Sequence, residues 1–249
     1  LKTGIVICSY NMPEYTDALV EHIRDTVKQP YALMVFDNGS DLVEPSKYTT
    51  YHEPANIQMV PGFMKALRVL TSDEALDAYW FITTSCRFDP EDRRDPLELL
   101  LERLREPDTY AAQPSLIIDE GAWKDYLAPV TGAWREVHSL ENNATAFRAD
   151  NFERLGRWRE ELIYGWGIAA ESFYKAREAG LKSWSHDGYT MFKDTFVGYK
   201  MDRMNMTGEQ RSELSSQRAS DVLDPIYGHP WWKTLNRGLN WKTAGGIYA

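Results

Sequence analysis

The sequence predicts an α/β fold, a mixed but mostly parallel, Rossmann-like sheet flanked by helices, and three observations carry that expectation. Residues 3–8, 31–36 and 78–83 are continuous apolar runs, the composition of strands buried on both faces. Between the first two, Ala18, Leu19, His22, Ile23 and Val27 recur at helical spacing until Gln29 and Pro30 stop the helix. Each run then empties into a polar turn, at Ser9-Tyr10-Asn11-Met12-Pro13, at Asp37-Asn38-Gly39-Ser40-Asp41 and at Thr84-Ser85. Two buried strands joined by a helix run parallel with a right-handed crossover, and ligands of such sheets gather outside the carboxyl ends of the strands. The first loop and the Asp-rich turn are therefore expected on one rim, and the end of the third run beside them.

The alternation continues. Residues 57–60 form a further apolar segment before Pro61 and Gly62, and 63–70 read as a short amphipathic helix. A helix is expected over 95–105, a strand over 109–118, and a strand over 144–148, with Asp150 placed to cap a helix over 152–155. Residues 119–143, rich in Trp and Gly without a clean period, are expected to cross the site as loops or a ribbon. Gly165-Trp166-Gly167 opens a helix over 168–179 that Gly180 ends. Residues 182–185 and 189–192 are two short strand candidates. The organisation expected is one domain over residues 1–200 and a C-terminal arm or lid over 201–249, polar at first and then aromatic with Tyr227, Trp231, Trp232 and Trp241.

With 249 residues, 43% hydrophobic and 26% charged, the chain has the profile of a globular protein with one large core. No apolar run approaches the roughly 20 residues of a spanning helix, and the opening residues lack a signal-peptide layout, so no membrane span is expected. Cys8 and Cys86 are too few for a disulfide framework and each lies in an apolar stretch, which fits a reducing, cytoplasmic setting. The Asn143 and Asn205 sequons are short enough to arise by chance. A net charge of -9 argues against a broad basic face for nucleic acid. The first strand leads into no Gly-x-Gly-x-x-Gly, which sets dinucleotide oxidoreductases aside.

Four segments in order carry a family resemblance: residues 5–13, ending in Ser9-Tyr10-Asn11-Met12-Pro13; residues 33–41, ending in Asp37-Asn38-Gly39-Ser40-Asp41; Pro61-Gly62-Phe63-Met64-Lys65-Ala66; and the stretch from Gly167 through Glu171 to Gly180. They resemble the large inverting family of GT-A nucleotide-sugar glycosyltransferases, glycosyltransferase family 2. The resemblance implies a GT-A fold, a nucleoside diphosphate sugar as donor, a hydroxyl acceptor, and donor-binding roles for Ser9, Tyr10, Asn11, Asp37 and Asn38, with Gly62, Lys65, Thr84 and Ser85 beside them. A carboxylate at a strand end can accept hydrogen bonds from a base N–H or a ribose hydroxyl; the alternative for Asp37 and Asn38 is an Asx-turn that only shapes the loop.

Three departures accompany the matches. Where the family carries an Asp-x-Asp metal site, this chain has Thr83-Thr84-Ser85, and hydroxyls are poor ligands for a hard dication. No metal ligand is assigned; manganese or magnesium stays open as a cofactor with its usual carboxylates missing. Where the family often has a metal-binding His, the chain has Lys193, whose ammonium could neutralise the diphosphate leaving group directly; the alternative is an ordinary surface lysine. The family's Glu-Asp pair reads Ile168-Ala169, which leaves Glu171 as first candidate for the catalytic base, with Glu160, Asp187 and Asp194 behind it. The alternative for Glu171 is a helix N-terminal charge that supports the fold. Trp166 and Gly167 are the acceptor-side candidates, with Trp123, Trp134 and Trp158 as further stacking surfaces or core.

Three functions follow as expectations: transfer of a sugar from a nucleoside diphosphate donor to a glycan or small-molecule hydroxyl; a catalytically inactive module that binds a nucleotide sugar or glycan; and glycosyl transfer to modified DNA bases, with the aromatic arm engaging an extruded base. A homodimer through the tryptophan-rich tail is one further expectation.

Overall fold

Side chains alternate across the strands of the sheet. In β1 (Thr3–Ser9), Val6 enters one hydrophobic layer while Ile5 and Ile7 enter the other, and in β4 (Ala78–Thr83) Tyr79 and Phe81 oppose Trp80 and Ile82 in the same way. A period of two with apolar residues on both phases requires helices on both faces of the sheet. They are present: α1 (Pro13–Thr26) and α3 (Pro96–Leu104) cover one face, and α2 (Met59–Leu70), α4 (Ala149–Arg154), α5 (Ile168–Glu178), α6 (Gly208–Tyr227) and α7 (Trp231–Leu235) supply the other layer. The computed structural model describes residues 1–118, 134–194 and 206–237.

Together with β2 (Tyr31–Asp37), β3 (Tyr51–His52), β5 (Cys86–Phe88), β6 (Thr109–Ile118), β7 (Trp134–Val137), β8 (Ala144–Arg148) and β9 (Lys182–Lys193), the described strands form one mixed sheet in the order β3-β2-β1-β4-β8-β6-β9-β5, with β7 on β9. The pairings make β1, β2, β3, β4, β6 and β9 run one way and β5, β7 and β8 the other. The sheet is mostly parallel, as the apolar runs predict. β1 pairs with β2 from Thr3↔Tyr31 to Ser9↔Asp37 and with β4 up to Cys8↔Thr83, so the ends of these three strands share one rim.

Several elements differ from the sequence reading. The helix expected over 63–70 starts earlier: α2 begins at Met59, inside the apolar segment, and Val60, Phe63, Met64 and Leu67 follow helical spacing into the core. Pro61 lies in the first turn, where its missing N–H has no intrahelical partner to lose. α4 starts at Ala149 with Arg148 as its N-cap, which puts Asp150 in the first turn instead of at the cap. The two strand candidates near the C-terminal half are one strand, β9, that shifts register against β6 between Pro114 and Ser115. The short β3 and β5 have no sequence counterpart. Beyond Asp194, α6 opens with a capping box between Thr207 and Gln210, and Ala219, Leu223, Trp231 and Leu235 are buried in the same layer as the helices next to the sheet. Trp123, Asn205 and Trp241 lie outside the described residues. Among the described residues no helix is long and apolar enough to cross a membrane.

Candidate functional site

The shared strand rim opens on a cavity of about 340 Å³, within the range of small-ligand sites. β1 and its loop supply Cys8, Ser9, Tyr10 and Met12, and the β2 turn supplies Asn38. The end of β4 adds Thr83, Thr84 and Ser85. Asn143 stands just before β8, Lys193 and Asp194 at the end of β9, and Arg211 in the first turns of α6. Asn56, Gln58, Met59 and Phe63 close the side towards α2.

Much of the predicted donor set is spent on building this rim. Asp37 is fully buried and accepts from the Ser40 amide at 3.0 Å, the Ser40 hydroxyl at 2.5 Å and His52 Nδ1 at 2.8 Å. It is the anchor of the turn and is not among the cavity-lining residues. Gly39 in that turn has φ +73°, and a Cβ there would fall 2.3 Å from the Ala55 carbonyl carbon, so only glycine fits. Asn11, also buried, receives the Asp41 and Leu42 amides at 2.9 and 3.0 Å, and its own amide donates to Ser40 Oγ at 2.7 Å. It stitches the first loop to the second. The Ser9 hydroxyl bonds Thr16 at 2.7 Å, and Tyr10 donates to Asp41 at 3.3 Å. Asn38 holds Asn56 and the Gln58 carbonyl through Nδ2 while facing the cavity. Gly62 lies behind that wall, where a Cβ would fall 3.0 Å from Cys8 Sγ. Lys65 is turned to Glu53 at 2.6 Å and the Tyr51 ring, outside the lining.

At the end of β4 the hydroxyls of Thr83 and Ser85 approach each other at 3.3 Å, and Thr84 is buried against Met12. Lys193 meets them from β9: its register partner is Cys86, and its ammonium donates to Asn143 Oδ1 at 2.8 Å. The Asp194 amide donates to the Ser85 carbonyl at 2.9 Å, which fixes the end of β9 against the end of β4. Lys193, Arg211 and Asp194 are thus the charged groups among the described lining residues. Among the described residues no cluster of three or more His, Cys, Asp or Glu could hold a metal ion. Hydroxyls, two cations and one carboxylate do not make the oxygen-rich set that a hard divalent cation requires. Cys8 faces the cavity as a thiol, because burial, with the Asp37 charge adding, pushes its pKa up to about 12.

The candidates near α5 lie elsewhere. Glu171 is buried and accepts from Arg159 at 2.9 Å and from the Tyr227 hydroxyl at 3.0 Å, with Lys175 at 3.2 Å. Burial alone would raise its pKa, but the Arg159 hydrogen bonds, the Lys175 and Arg159 charges and the Tyr227 hydroxyl outweigh that and leave it below the usual carboxylate range. This carboxylate is not on the cavity wall; it ties α6 to α5. Gly167 serves the same contact: with φ +88° it precedes α5, and a Cβ there would meet Leu223 of α6 at 2.7 Å. Trp166 packs against the core layer, as Trp158 does on Phe81 with ring centroids 4.6 Å apart. Trp134 donates to Glu102 at 2.8 Å. Of the reserve bases, Glu160 pairs with Arg68 and Asp187 with Arg135, whereas Asp194 is on the cavity.

Sequence reasoning missed Asn56, Gln58, Asn143 and Arg211. Asn143 stood out only as a sequon, and its buried amide instead holds Lys193. Arg211 carried no signal, because nothing in a polar tail says which residue returns to the rim.

No family model and no curated protein matches the chain. Solved structures do. A crystal structure of GalNAc-T7 with UDP, GalNAc and Mn2+ superposes with a TM-score of 0.60 at 12% identity, over 78% of this chain and 44% of that one. The chain therefore spans less than half the length of that neighbour. The likeness shows the fold: the mixed, mostly parallel sheet flanked by helices is of the GT-A type.

Proposed function

We propose that the chain is a glycosyltransferase that moves a sugar from a nucleoside diphosphate donor to a hydroxyl acceptor, with Lys193 and Arg211 facing the diphosphate. The observation that carries this reading is the pair of cations on a cavity at the carboxyl ends of β1 and β4, beside hydroxyls where the resembling family has metal-binding carboxylates. The leaving diphosphate gains negative charge as the anomeric bond breaks, and fixed cations stabilise that charge more in the transition state than in the ground state. The GT-A fold, the four family-like segments and the nucleotide and sugar named with the structural neighbour support the same reading. In this reading Asn38 and Tyr10 meet base or ribose, and Thr84 and Ser85 meet phosphate or sugar hydroxyls; that all four line the cavity supports it.

The test is a screen of nucleoside diphosphate sugars by thermal shift and donor turnover, run in chelator and in manganese. A donor that stabilises the chain and is turned over in chelator is expected. Lys193→Gln is expected to weaken the nucleoside diphosphate about 10–100-fold, the scale of one charge-assisted hydrogen bond, and to leave the nucleoside unchanged. Activity lost in chelator and restored by manganese would sink the role of the cations. Stable donor binding with no turnover under either condition would favour a binding module, a reading to which the engagement of Glu171 away from the cavity lends weight. The absence of any stabilising donor would remove the function itself.

A further inference from the structure

The segment before β8 brings three polar side chains together in sequence at the back of the cavity. Asn143 lines the cavity, and its backbone carbonyl accepts the Thr83 amide at 2.8 Å, which ties it to the end of β4. Its side chain has two partners: Oδ1 accepts from the Lys193 ammonium at 2.8 Å, and Nδ2 donates to Glu141 Oε2 at 3.3 Å. Glu141 is not among the lining residues and stands one amide behind the cation. Its other oxygen, Oε1, is shielded from solvent and has no hydrogen-bond partner. Asn142, 4% exposed and held at φ +54°, also leaves both of its amide atoms without one. Buried polar atoms left unpaired cost stability, and such groups call for a role other than holding the fold.

Among the described residues, the charged or titratable groups that face Glu141 are Lys193 of β9 and the Cys86 thiol of β5, while Asp194 and Arg211 lie with Lys193 on the cavity. A carboxylate with one neutral donor and one unpaired oxygen is poorly solvated. Burial holds the Glu141 carboxyl above the usual carboxylate range, although the Lys193 charge and the Asn143 hydrogen bond pull the other way. Burial also raises the Cys86 pKa, which keeps that group a neutral thiol. The charge on Glu141 is therefore felt first at Lys193. Ionised, it offsets part of the ammonium's field and repels an anion in the cavity; protonated, it leaves the whole field to that anion. We propose that Glu141 is a positioning residue for Lys193, acting through Asn143, and that its carboxyl takes up a proton from solvent when a diphosphate binds. This rests on the donor reading above. The coupling is reciprocal: if the diphosphate raises the proton affinity of Glu141, protonation raises the affinity for the diphosphate by the same factor. Donor affinity is then greatest at low pH and falls as pH rises through the range, above 4.5, in which this carboxyl ionises.

The experiment is isothermal titration calorimetry on the full chain with UDP-glucose, UDP-N-acetylgalactosamine, GDP-mannose and dTDP-glucose, whose diphosphate diesters keep their charge from pH 5.5 to 8.5. The tightest binder is carried across that range. Wild-type affinity is expected to fall about tenfold, the size of a coupling worth one decade of proton affinity. Glu141→Gln keeps the shape and can still accept from Asn143. It is expected to match the wild type at pH 5.5 and to bind about tenfold more tightly than the wild type at pH 8.5, a gain that a purely structural role would not give. Titrations at pH 7 in two buffers of different ionisation enthalpy are expected to show proton uptake by the wild type and none by Glu141→Gln. Asn143→Ala, which cuts the link, is expected to weaken the donor at least about threefold at pH 5.5. Parallel pH profiles for wild type and Glu141→Gln, or no proton uptake by the wild type, with donor bound, overturn the coupling while the donor reading stands. Unchanged binding by Asn143→Ala overturns the positioning. Failure of all four nucleotide sugars to bind removes the donor reading and this one with it.

Discussion

Replacing Glu171 by alanine removes the carboxylate that holds α6 to α5. It loses the Arg159 hydrogen bonds at 2.9 and 3.2 Å, the Tyr227 hydroxyl at 3.0 Å and the Lys175 ion pair at 3.2 Å. Hydrogen bonds to charged groups contribute about 1.5–3 kcal/mol each, and removing one partner of a buried pair costs about 3–5 kcal/mol. Arg159 and Lys175 keep 28% and 27% of their side-chain exposure and can rehydrate, so the loss falls lower, at about 2–4 kcal/mol. For a chain of this length that is a fall in Tm of about 4–16 °C. The pH dependence has a definite sign. Because the folded pKa of Glu171 is depressed, its stabilisation is fully present above the ordinary value of 4.5 and disappears as pH falls through the folded value. Thermal unfolding followed by circular dichroism at pH 7 and at stepwise lower pH, for the wild type, Glu171→Ala and Glu171→Gln, measures both. Equal Tm values at pH 7, or a gap between wild type and Glu171→Gln that widens on acidification, would refute the reasoning.

Two further outcomes follow from the rim. Gly39→Ala puts a methyl 2.3 Å from the Ala55 carbonyl carbon at φ +73°, and is expected to cost at least about 2 kcal/mol, read as a lower denaturation midpoint in urea; an unchanged midpoint would show that the turn is differently built. Cys8 lines the cavity, but desolvation pushes its thiol pKa up to about 12, so iodoacetamide at pH 7.5 is expected to alkylate it at least about 100-fold more slowly in the folded chain than in urea; rapid labelling of the folded protein, located by mass spectrometry, would contradict that shift.

The strands that set the rim were legible because their physics is local. A run such as Ile5-Val6-Ile7 can be buried on both faces only inside a covered parallel sheet, and the Ser9↔Asp37 pairing follows from the crossover between β1 and β2. β3 and β5 were not legible, since two or three residues form no period, and their pairing depends on where distant strands lie. The start of α2 shows how a short apolar run hides a boundary: Met59 and Val60 belong to the helix, and only the longer series from Val60 to Leu67 carries its period. The site divides similarly. Motif residues such as Asp37 and Asn11 were found by type and place, yet their hydrogen bonds are consumed in loop construction, which composition cannot reveal. Lys193 came from alignment with the family pattern, whereas the place of Arg211 on the rim arises from tertiary geometry alone.

The arrival of Arg211 from α6 has a consequence for biosynthesis. Chains fold from the N-terminus as they leave the ribosome, and β1 to β9 are all encoded before residue 194. The sheet and most of its rim can therefore form while the nascent chain is still tethered, but the cavity acquires its second cation only when residues 208–235 have emerged and docked through Glu171. A message truncated or a ribosome stalled after β9 would release a scaffold with nearly every strand in place and an unfinished electrostatic wall.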